Sequence, residues 1–332
     1  MIRIGILSFA HLHAEAYVGN LRANPHVQFI GIADEDPQRG QHFAQAFGAP
    51  LYASYEALLA DKPDGVIVCS ENARHRPLVE LAASHGVHVL CEKPLATTTA
   101  DAEAMVAACH SAGVRLMTAF PMRFSTPLQE VKKGLESGAF GRIFAVNSVN
   151  TGECPKHHRA WFVDKTLAGG GALSDHVVHL ADVLAWYTGQ EVTQVYATAN
   201  AILYPGETDV ETGGIVMLGY ADGTFATIDC SWSKPPYYPT WGGLSFEMIT
   251  ERGLVTANAF RQVMTVYSHS IQRPRYAYWG SDANQAMIDE FVNCIRENRA
   301  PAVTGEDGLR AVRIVEAAYR SVAAGDVVPL NG

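Results

Sequence analysis

Short apolar segments alternate with helical patterns over about the first 120 residues, and this alternation limits the fold more than any other feature of the chain. The strand-like segments are residues 2–7, 27–33, 65–69, 87–91 and 114–119, and the helical patterns are residues 13–23, 37–47, 55–60, 76–85 and 101–112. Apolar strands that are separated by helices are typical of a parallel sheet covered on both faces. We therefore expect a doubly wound Rossmann domain, which binds its ligand at the carboxyl ends of its strands.

The pattern changes near Phe124, where strand-like segments replace the regular alternation. Strands are predicted at residues 142–150, 192–199, 214–220, 224–232, 244–250 and 262–267, and helices at residues 175–187, 282–297 and 305–324. An Asp222-Gly223 pair between two of these strands predicts a hairpin turn. The chain is thus expected to be an α/β protein, with a Rossmann domain at residues 1–122 and an α+β domain with an open, mainly antiparallel sheet at residues 123–332.

Composition and charge argue against several classes of protein. The chain has 332 residues, of which 48% are hydrophobic, and its formal net charge is −9. Nucleic acid is not an expected partner, because binding phosphates needs a basic face. No apolar run approaches the roughly 20 residues that span a bilayer, and the first residues enter a strand pattern without the apolar region of a signal peptide. Six scattered cysteines with no Cys-x-x-Cys pair favour the reducing cytoplasm.

The first strand-to-helix turn departs from the glycine-rich sequence that usually surrounds a cofactor diphosphate. Ser8 and Ala10 occupy the positions of the first two glycines, and His13 occupies the third. The helix that follows would still present backbone N–H groups to a diphosphate. We therefore predict that Ser8, Phe9, Ala10, His11 and His13 contact a dinucleotide, with packing roles for the two histidines as the alternative.

An acidic group follows the second predicted strand, at Asp34, Glu35 and Asp36. A carboxylate at this place accepts hydrogen bonds from a cofactor ribose, and we assign that role to Asp34. Because Glu35 would repel a 2′-phosphate, the sequence favours NAD over NADP, although Arg39 nearby weakens this preference. The alternative is that these acids only cap the next helix.

Three glycines at residues 169–171 precede the predicted helix that carries Asp175 and His179. Glycines allow backbone to approach a ligand or to turn where a Cβ atom would clash. The carboxylate and the imidazole lie four residues apart, on one face of a helix. Side by side, they are able to move a proton to or from a hydroxyl group. The sequence therefore indicates a proton-transfer site, with a buried core histidine as the alternative for His179.

Several motifs occur in order along the chain: residues 66–72, His75, residues 87–94 with the triplet Glu92-Lys93-Pro94, residues 120–124 and the run 169–179. Together they resemble the family of glucose–fructose oxidoreductase, inositol dehydrogenase and rhizopine-catabolism proteins (Gfo/Idh/MocA). The resemblance implies an NAD(P)-dependent dehydrogenase that interconverts a secondary alcohol and a ketone on a sugar, cyclitol or related polyol. It also implies a homodimer or homotetramer that forms through the C-terminal sheet.

The same resemblance assigns roles to individual residues. Lys93 would contact both cofactor and substrate, and Asp175 and His179 match the family's aspartate and catalytic histidine. The residues that it implies as the cofactor lining beyond the first turn and Asp34 are Ser70, Asn72, His75, Glu92 and Lys93.

A mechanism follows from these assignments. His179 would be the general base, since an imidazole with a pKa of about 6.5 exchanges protons at neutral pH. Lys93 would bind the same oxygen and stabilise the developing alkoxide. Asp175 would orient the substrate or tune Lys93, and Asp182 would hold the imidazole of His179 in one tautomer.

Polar and aromatic residues near the glycines are candidates for substrate binding. The loop at residues 153–162 offers hydrogen-bond donors and an indole that suits the apolar face of a sugar ring. The alternative is a solvated loop with a buried Trp161. The full set of predicted substrate contacts is Lys93, Arg123, His157, Trp161, Asp175, His176 and His179.

Three other interpretations stay open at this level. A metal site would use His157, His158, Asp175, His176 and His179. We expect no metal, because nicotinamide chemistry already accounts for the pattern that contains these residues. A redox-neutral glycosidase or lyase would use the same lysine and histidine for a transient oxidation of a sugar. A non-catalytic ligand-binding relative would explain the missing glycines of the first turn.

Overall fold

The computed structural model describes residues 1–267, 272–278 and 280–330. Its N-terminal part alternates strands and helices in the order β1 (Ile2–Leu7), α1 (His13–Ala23), β2 (Val27–Ala33), α2 (Pro37–Phe47), β3 (Leu51–Tyr52), α3 (Tyr55–Ala60), β4 (Gly65–Val68), α4 (His75–Ser84), β5 (His88–Cys91), α5 (Thr99–Ser111) and β6 (Leu116–Thr118). The six strands form one parallel sheet in the order β3-β2-β1-β4-β5-β6. This is the strand order of a Rossmann fold, whose ligand crevice lies where β1 meets β4.

Both faces of this sheet are covered, as the apolar strands predict. Ile6 and Leu7 are neighbours in β1, and they pack into different apolar clusters on opposite faces of the sheet. The bounds of β1, α1, β2, α2 and α3 agree with the sequence prediction residue for residue. In α2 the start is fixed by Asp36, whose carboxylate accepts hydrogen bonds from the backbone N–H groups of Gln38 and Arg39.

The C-terminal part consists of α6 (Thr126–Glu136), β7 (Ile143–Asn150), α7 (Lys165–Ala168), α8 (Ala172–Thr188), β8 (Val192–Asn200), β9 (Gly213–Tyr220), β10 (Phe225–Asp229), β11 (Leu244–Thr250), β12 (Gly253–Asn258), β13 (Val263–Tyr267), β14 (Pro274–Tyr278), α9 (Ala283–Arg296), α10 (Gly305–Ala324) and β15 (Val328–Pro329). Seven strands form a mixed sheet in the order β12-β11-β7-β10-β9-β8-β15. Strands β7 and β10 pair in parallel, and the other neighbours pair antiparallel. The predicted fold class is thus confirmed.

Two local details of this sheet bear on the sequence prediction. The Asp222-Gly223 turn joins β9 to β10 as expected, with Gly223 at a φ of 86°. Strands β3, β12, β14 and β15 are absent from the sequence prediction. Two of them are only two residues long, and β3, β12 and β15 lie at sheet edges.

Helix α8 is the buried centre of the C-terminal part, where it packs against β7, β9 and α10. It begins at Ala172, earlier than the predicted start at residue 175, so that Asp175 lies in its first turn. Helix α9 returns to the N-terminal part: Asn24 of the α1 C-terminus donates to Asp289 at 2.7 Å. The last helices therefore hold the two parts together around a cleft.

The seven-stranded sheet has one face that α8 leaves uncovered. By strand register, one set of exposed apolar side chains shares this outer face: Val149, Tyr196, Ile215, Met217, Phe225, Ile249 and Leu254. Within the described ranges, no helix combines the length and the apolar character needed to cross a membrane.

Candidate active site

A cavity of about 230 Å³ lies between the carboxyl ends of the Rossmann strands and the first turns of α8. Residues from both parts of the chain line it, including His13, Lys93, Asp175, His176, His179 and Trp241. The structure therefore brings together Lys93, which follows β5, and the three residues predicted on the helix after the glycines. Their chemical roles rest on the geometry that follows.

Lys93 and Asp175 form an ion pair across the two parts of the chain. The Nζ atom of Lys93 lies 2.5 Å from Oδ1 of Asp175, and the indole of Trp232 donates to Oδ2 at 3.1 Å. Burial opposes ionisation of Asp175, yet the neighbouring ammonium and these hydrogen bonds hold the pKa of its carboxyl well below the ordinary value. The aspartate stays ionised and fixes the position of the ammonium group.

His179 lies one helical turn beyond Asp175, on the same cavity. Burial, followed by the charge of Lys93, lowers the pKa of its imidazole well below the ordinary value. Its Nδ1 atom is buried and has no hydrogen-bond partner among the described residues. The ring is therefore neutral at pH 7 and is able to accept a proton.

The expected partner of His179 is engaged elsewhere. Asp182 accepts hydrogen bonds from Arg123 at 2.8 and 2.5 Å, and Arg123 also lies 3.0 Å from Asp307. The prediction that Asp182 holds the imidazole is wrong. The prediction that Arg123 contacts substrate needs the same correction, because two carboxylates hold its buried guanidinium in an internal cluster.

The three glycines let the helix start close to other backbone. Gly169 has a φ of 80°, a Cβ on Gly170 would collide with the hydroxyl of Tyr319, and one on Gly171 would collide with the carbonyl oxygen of Glu211. The carboxylate of Glu211 accepts hydrogen bonds from the N–H groups of Gly171 and Leu173 at 2.9 and 3.0 Å. Sequence reasoning missed Glu211 and Tyr319, because nothing in their own neighbourhood indicates a cap on a helix 40 residues away in the chain.

Two predicted substrate residues lie outside the cavity. Trp161 is buried against Phe162, with ring centroids 3.9 Å apart, and its indole donates to the carbonyl oxygen of Ala10 at 3.0 Å. It supports the turn after β1 and is not free to stack on a sugar. His157 is exposed and does not line the cavity.

The aromatic residues that line the cavity are instead Trp241 and Phe260. Lys234 holds the loop that carries Trp241, since its Nζ atom donates to the carbonyl oxygen of Gly242 at 2.5 Å. Burial lowers the pKa of Lys234 to about 8. His158 packs edge-on against the indole, with centroids 4.3 Å apart. The sequence signal was the aromatic and proline-rich segment 235–241, which the sequence analysis did not single out.

The turn after β1 fits a dinucleotide despite its missing glycines. Ser8 adopts a φ of 70°, the left-handed conformation that a glycine would otherwise supply. Leu12 precedes α1 without a side-chain cap, and the N–H groups of His13 and Ala14 donate instead to Nδ1 and the carbonyl oxygen of His11, each at 3.2 Å. After β4, the buried Oδ1 of Asn72 has no hydrogen-bond partner among the described residues, and the buried Oε2 of Glu71 has only an ion pair with Arg74, at 3.5 Å. These oxygens only accept hydrogen bonds, so they suit the ribose hydroxyls of a cofactor.

Several predicted cofactor residues act mainly as supports. The ring of Phe9 is buried and stacks on Phe43 at 4.9 Å, so only its backbone remains for a ligand. His75 is buried, and its Nδ1 lies 3.0 Å from the carbonyl oxygen of Pro94. Ser70 is buried and donates to the carbonyl oxygen of Glu71. They shape the cleft from behind.

Asp34 lies at the end of β2, as expected, but it is not free. Its two carboxylate oxygens accept hydrogen bonds from Arg39 at 2.9 and 2.8 Å, and the N–H of Phe9 donates to it at 2.7 Å. Glu35 in turn pairs with Arg74. Two arginines thus balance part of the negative charge that would reject a 2′-phosphate.

The metal ligands suggested by the sequence do not gather in one place. Among the described residues, the group whose ligand atoms come close enough for a metal ion is His11, His13 and Glu92. This cluster borders the same cavity through His13.

Comparisons with known proteins agree with this architecture. Residues 2–120 match the family described as oxidoreductase family, NAD-binding Rossmann fold, and residues 128–256 match the Gfo/Idh/MocA C-terminal domain. The chain therefore belongs to the Gfo/Idh/MocA family and is an oxidoreductase with an NAD-binding Rossmann domain.

Individual relatives extend over the whole chain. The D-apiose dehydrogenase of Paraburkholderia graminis is 28% identical over 100% of this chain and 89% of its own length. The myo-inositol 2-dehydrogenase of Thermotoga maritima is 27% identical over 97% of this chain and 96% of its own. Among solved structures, GenD2 from gentamicin A biosynthesis in complex with NAD is 26% identical, with a TM-score of 0.89 over 100% of this chain and 97% of its own.

Proposed function

We propose that the protein transfers hydride between a nicotinamide cofactor and a carbon that bears a secondary alcohol in a sugar, cyclitol or related polyol. The observation that carries this proposal is the meeting of the Lys93–Asp175 ion pair with the neutral imidazole of His179 at one cavity. Its relatives include dehydrogenases of D-apiose, D-xylose and myo-inositol, and these names support the substrate class.

In the oxidative direction, His179 accepts the hydroxyl proton of the substrate, since its ring is neutral and faces the cavity. The ammonium of Lys93 donates a hydrogen bond to the same oxygen and stabilises its negative charge as the proton leaves. Asp175 holds this ammonium group in place. A bound nicotinamide supplies the acceptor for the hydride.

The cofactor would be held along the carboxyl ends of the Rossmann strands. The turn that contains Ser8 and Ala10 would receive the diphosphate, Asp34 with Arg39 the adenosine ribose, and Asn72 the nicotinamide end. We propose NAD as the cofactor, because the acids after β2 outnumber the nearby cations. The ratio of kcat/KM for NAD and NADP measures this preference.

The substrate would lie against Trp241, which offers an apolar ring face beside polar groups. We further propose a homodimer or homotetramer that covers the outer face of the C-terminal sheet, and we retain the division into domains at residues 1–122 and 123–332. Six free and buried cysteines support a cytoplasmic location.

The catalytic proposal is tested with the purified His179→Ala and Lys93→Met variants, NAD, and a panel of myo-inositol, D-xylose, D-glucose and D-apiose. NADH formation with any of these by the native protein supports a dehydrogenase, and bond cleavage without NADH supports the redox-neutral alternative. Loss of the base lowers kcat by about 10²–10⁴. His157→Ala, which changes an exposed histidine outside the cavity, is the matched control. Full turnover by a folded His179→Ala variant contradicts the assignment.

A further inference from the structure

A second imidazole faces the catalytic cavity. His13 is the first residue of α1 and lines the same cavity as Lys93 and His179. Its side chain is 28% exposed, whereas its partner Glu92 is fully buried. The accessible edge of this ring is therefore the edge on the cavity side, away from the carboxylate.

Glu92 determines which ring nitrogen of His13 carries the proton. One carboxylate oxygen lies 3.0 Å from Nδ1 of His13 and accepts from the hydroxyl of Tyr17 at 2.6 Å, and the other accepts from the N–H of Lys93 at 3.1 Å. Burial opposes ionisation of Glu92, but the hydrogen bonds from His13 and Tyr17 hold the pKa of its carboxyl well below the ordinary value. A carboxylate only accepts, so Nδ1 donates to it, and a His13 ring with a single N–H has its lone pair on Nε2.

Neighbouring rings fix the orientation of His13. The ring of His11 contacts it edge-on at 4.4 Å between centroids, and the ring of Tyr17 lies at 5.9 Å. Such packing leaves little rotational freedom, which is what a preorganised binding group requires. The imidazole thus presents a hydrogen-bond acceptor in a set position beside the reacting groups.

The same contacts argue against a metal ion at His11, His13 and Glu92. Nδ1 of His11 accepts a hydrogen bond from the N–H of His13 at 3.2 Å. Burial lowers the pKa of His11 well below its ordinary value, so its ring is neutral and the proton lies on Nε2. That N–H points toward Glu92 at 3.8 Å and has no lone pair to offer a cation.

We propose that His13, oriented by Glu92, accepts a hydrogen bond from a second hydroxyl of the substrate, on the carbon next to the one that is oxidised. This inference rests on the proposed dehydrogenase function. Lys93 only donates, and Asp175 is already engaged by Lys93 and Trp232. Nε2 of His13 then offers an acceptor to a neighbouring hydroxyl, in a cavity that the amides of Asn150 and Asn284 also line, and the site selects vicinal diols.

The first test needs no substrate. Nitrogen-15 NMR of the labelled native protein reports the tautomer of each imidazole, and His13→Gln assigns the signal of His13. We expect the form protonated at Nδ1 and not at Nε2. A tautomer protonated at Nε2 overturns the proposal even if no activity is found. A metal present at one equivalent in the native protein and lost in His13→Gln overturns it as well.

The second test compares a substrate with its deoxy analogue, using D-xylose with 2-deoxy-D-xylose and D-glucose with 2-deoxy-D-glucose. We expect the native protein to favour the parent sugar by about tenfold in kcat/KM, the effect of one hydrogen bond. His13→Ala should bring this ratio near one, and His13→Gln, which keeps an acceptor, should restore part of it. His179→Ala should slow both sugars equally and leave the ratio unchanged.

Two results of this comparison count against the proposal. If His13→Ala slows parent and analogue alike, the imidazole does not meet the second hydroxyl. If it weakens NAD binding, measured by calorimetry, with no change in the ratio, its contact is with the cofactor. Absence of turnover with every sugar and cyclitol of the panel contradicts the proposed function instead. The NMR result then still tests the tautomer of His13 by itself.

Discussion

At the scale of single residues, burial acts in opposite ways on the two groups of the catalytic helix. Asp175 is kept ionised by the ammonium that it holds, whereas burial keeps His179 neutral, and no carboxylate of the described residues hydrogen-bonds to it. A neutral base beside a positive charge is suited to take a proton from an alcohol and to leave the alkoxide stabilised. Because the pKa of His179 is lowered in the folded protein, the stability of the fold also depends on pH.

The first prediction concerns stability against pH. Because the pKa of His179 is lowered in the folded protein, the unfolded chain binds more protons below about pH 6.5. The free energy of unfolding should therefore fall as the pH drops below that value. In His179→Asn the fall should be smaller, by up to about 1.4 kcal/mol per pH unit. Urea unfolding between about pH 7.5 and 5.5 measures how steeply the free energy of unfolding changes with pH, with His157→Asn as the control. An unchanged slope in His179→Asn contradicts the buried neutral imidazole.

The second prediction concerns Trp241. Removing the indole in Trp241→Ala should raise KM for the best substrate of the panel about tenfold, because an apolar ring face is lost. The value of kcat should change by less than about threefold, since the proton-transfer groups stay in place. Tyr237→Ala is the matched control, because Tyr237 is on the same loop and is 86% exposed. Equal KM values in the native protein and Trp241→Ala would remove the indole from the binding site.

At the scale of elements, the start of α8 decides where both catalytic side chains lie. The glycines allow close contact with Tyr319 and with the backbone of Glu211, and the carboxylate of Glu211 caps the helix. A helix that begins at Ala172 places Asp175 in its first turn and His179 one turn further. The position of the site thus depends on a contact with α10, far along the chain.

The third prediction tests this contact. Gly170→Ala adds a Cβ that collides with the hydroxyl of Tyr319, so it should destabilise the protein by about 1–3 kcal/mol and lower kcat. In a Tyr319→Phe background, which lacks the hydroxyl, the same substitution should have a smaller effect. Thermal unfolding and kcat are measured for the native protein, the two single variants and the double variant. Together they give the coupling between Gly170 and Tyr319. If Gly170→Ala has the same effect in both backgrounds, the collision is not the cause.

Local signals explain which elements could be predicted. The bounds of α2 agree with the sequence because Asp36, Pro37 and Gly48 mark its ends within a few residues. Trp161 and Trp241 both lie in polar loops, and the sequence favoured the wrong one as the sugar platform. Trp161 is buried because its indole donates to the carbonyl of Ala10, far away in the chain, whereas Trp241 lies on a loop that Lys234 holds through the carbonyl of Gly242.

The residues of the candidate site could also be predicted only in part. Asp175 and His179 were placed together by helical spacing, and Lys93 was added to them by the family resemblance. Asp182 follows His179 at helical spacing, yet its partner is Arg123 from another element. Spacing along a helix predicts a shared face, and it does not say which outside group approaches that face.

At the scale of the whole molecule, the cleft depends on helices that cross between the two parts. Helix α9 packs on α1, and α10 contacts both α5 and α8. The last helices therefore bind the Rossmann sheet to the C-terminal sheet from behind the cavity. The outer face of the C-terminal sheet carries exposed apolar side chains. No element of the described chain covers this face.

The fourth prediction concerns this outer face. Ile215 is 53% exposed and lies on β9, near the middle of the sheet, beside exposed Met217 and Phe225. A contiguous apolar surface of this kind marks a protein interface. We expect native mass spectrometry to give a homodimer or homotetramer, and Ile215→Lys to shift it toward the monomer, because the interface would bury an unpaired charge. Ile202→Lys is the matched control, since Ile202 is 75% exposed outside the strands. A native protein that is monomeric at micromolar concentration contradicts the assignment of this face.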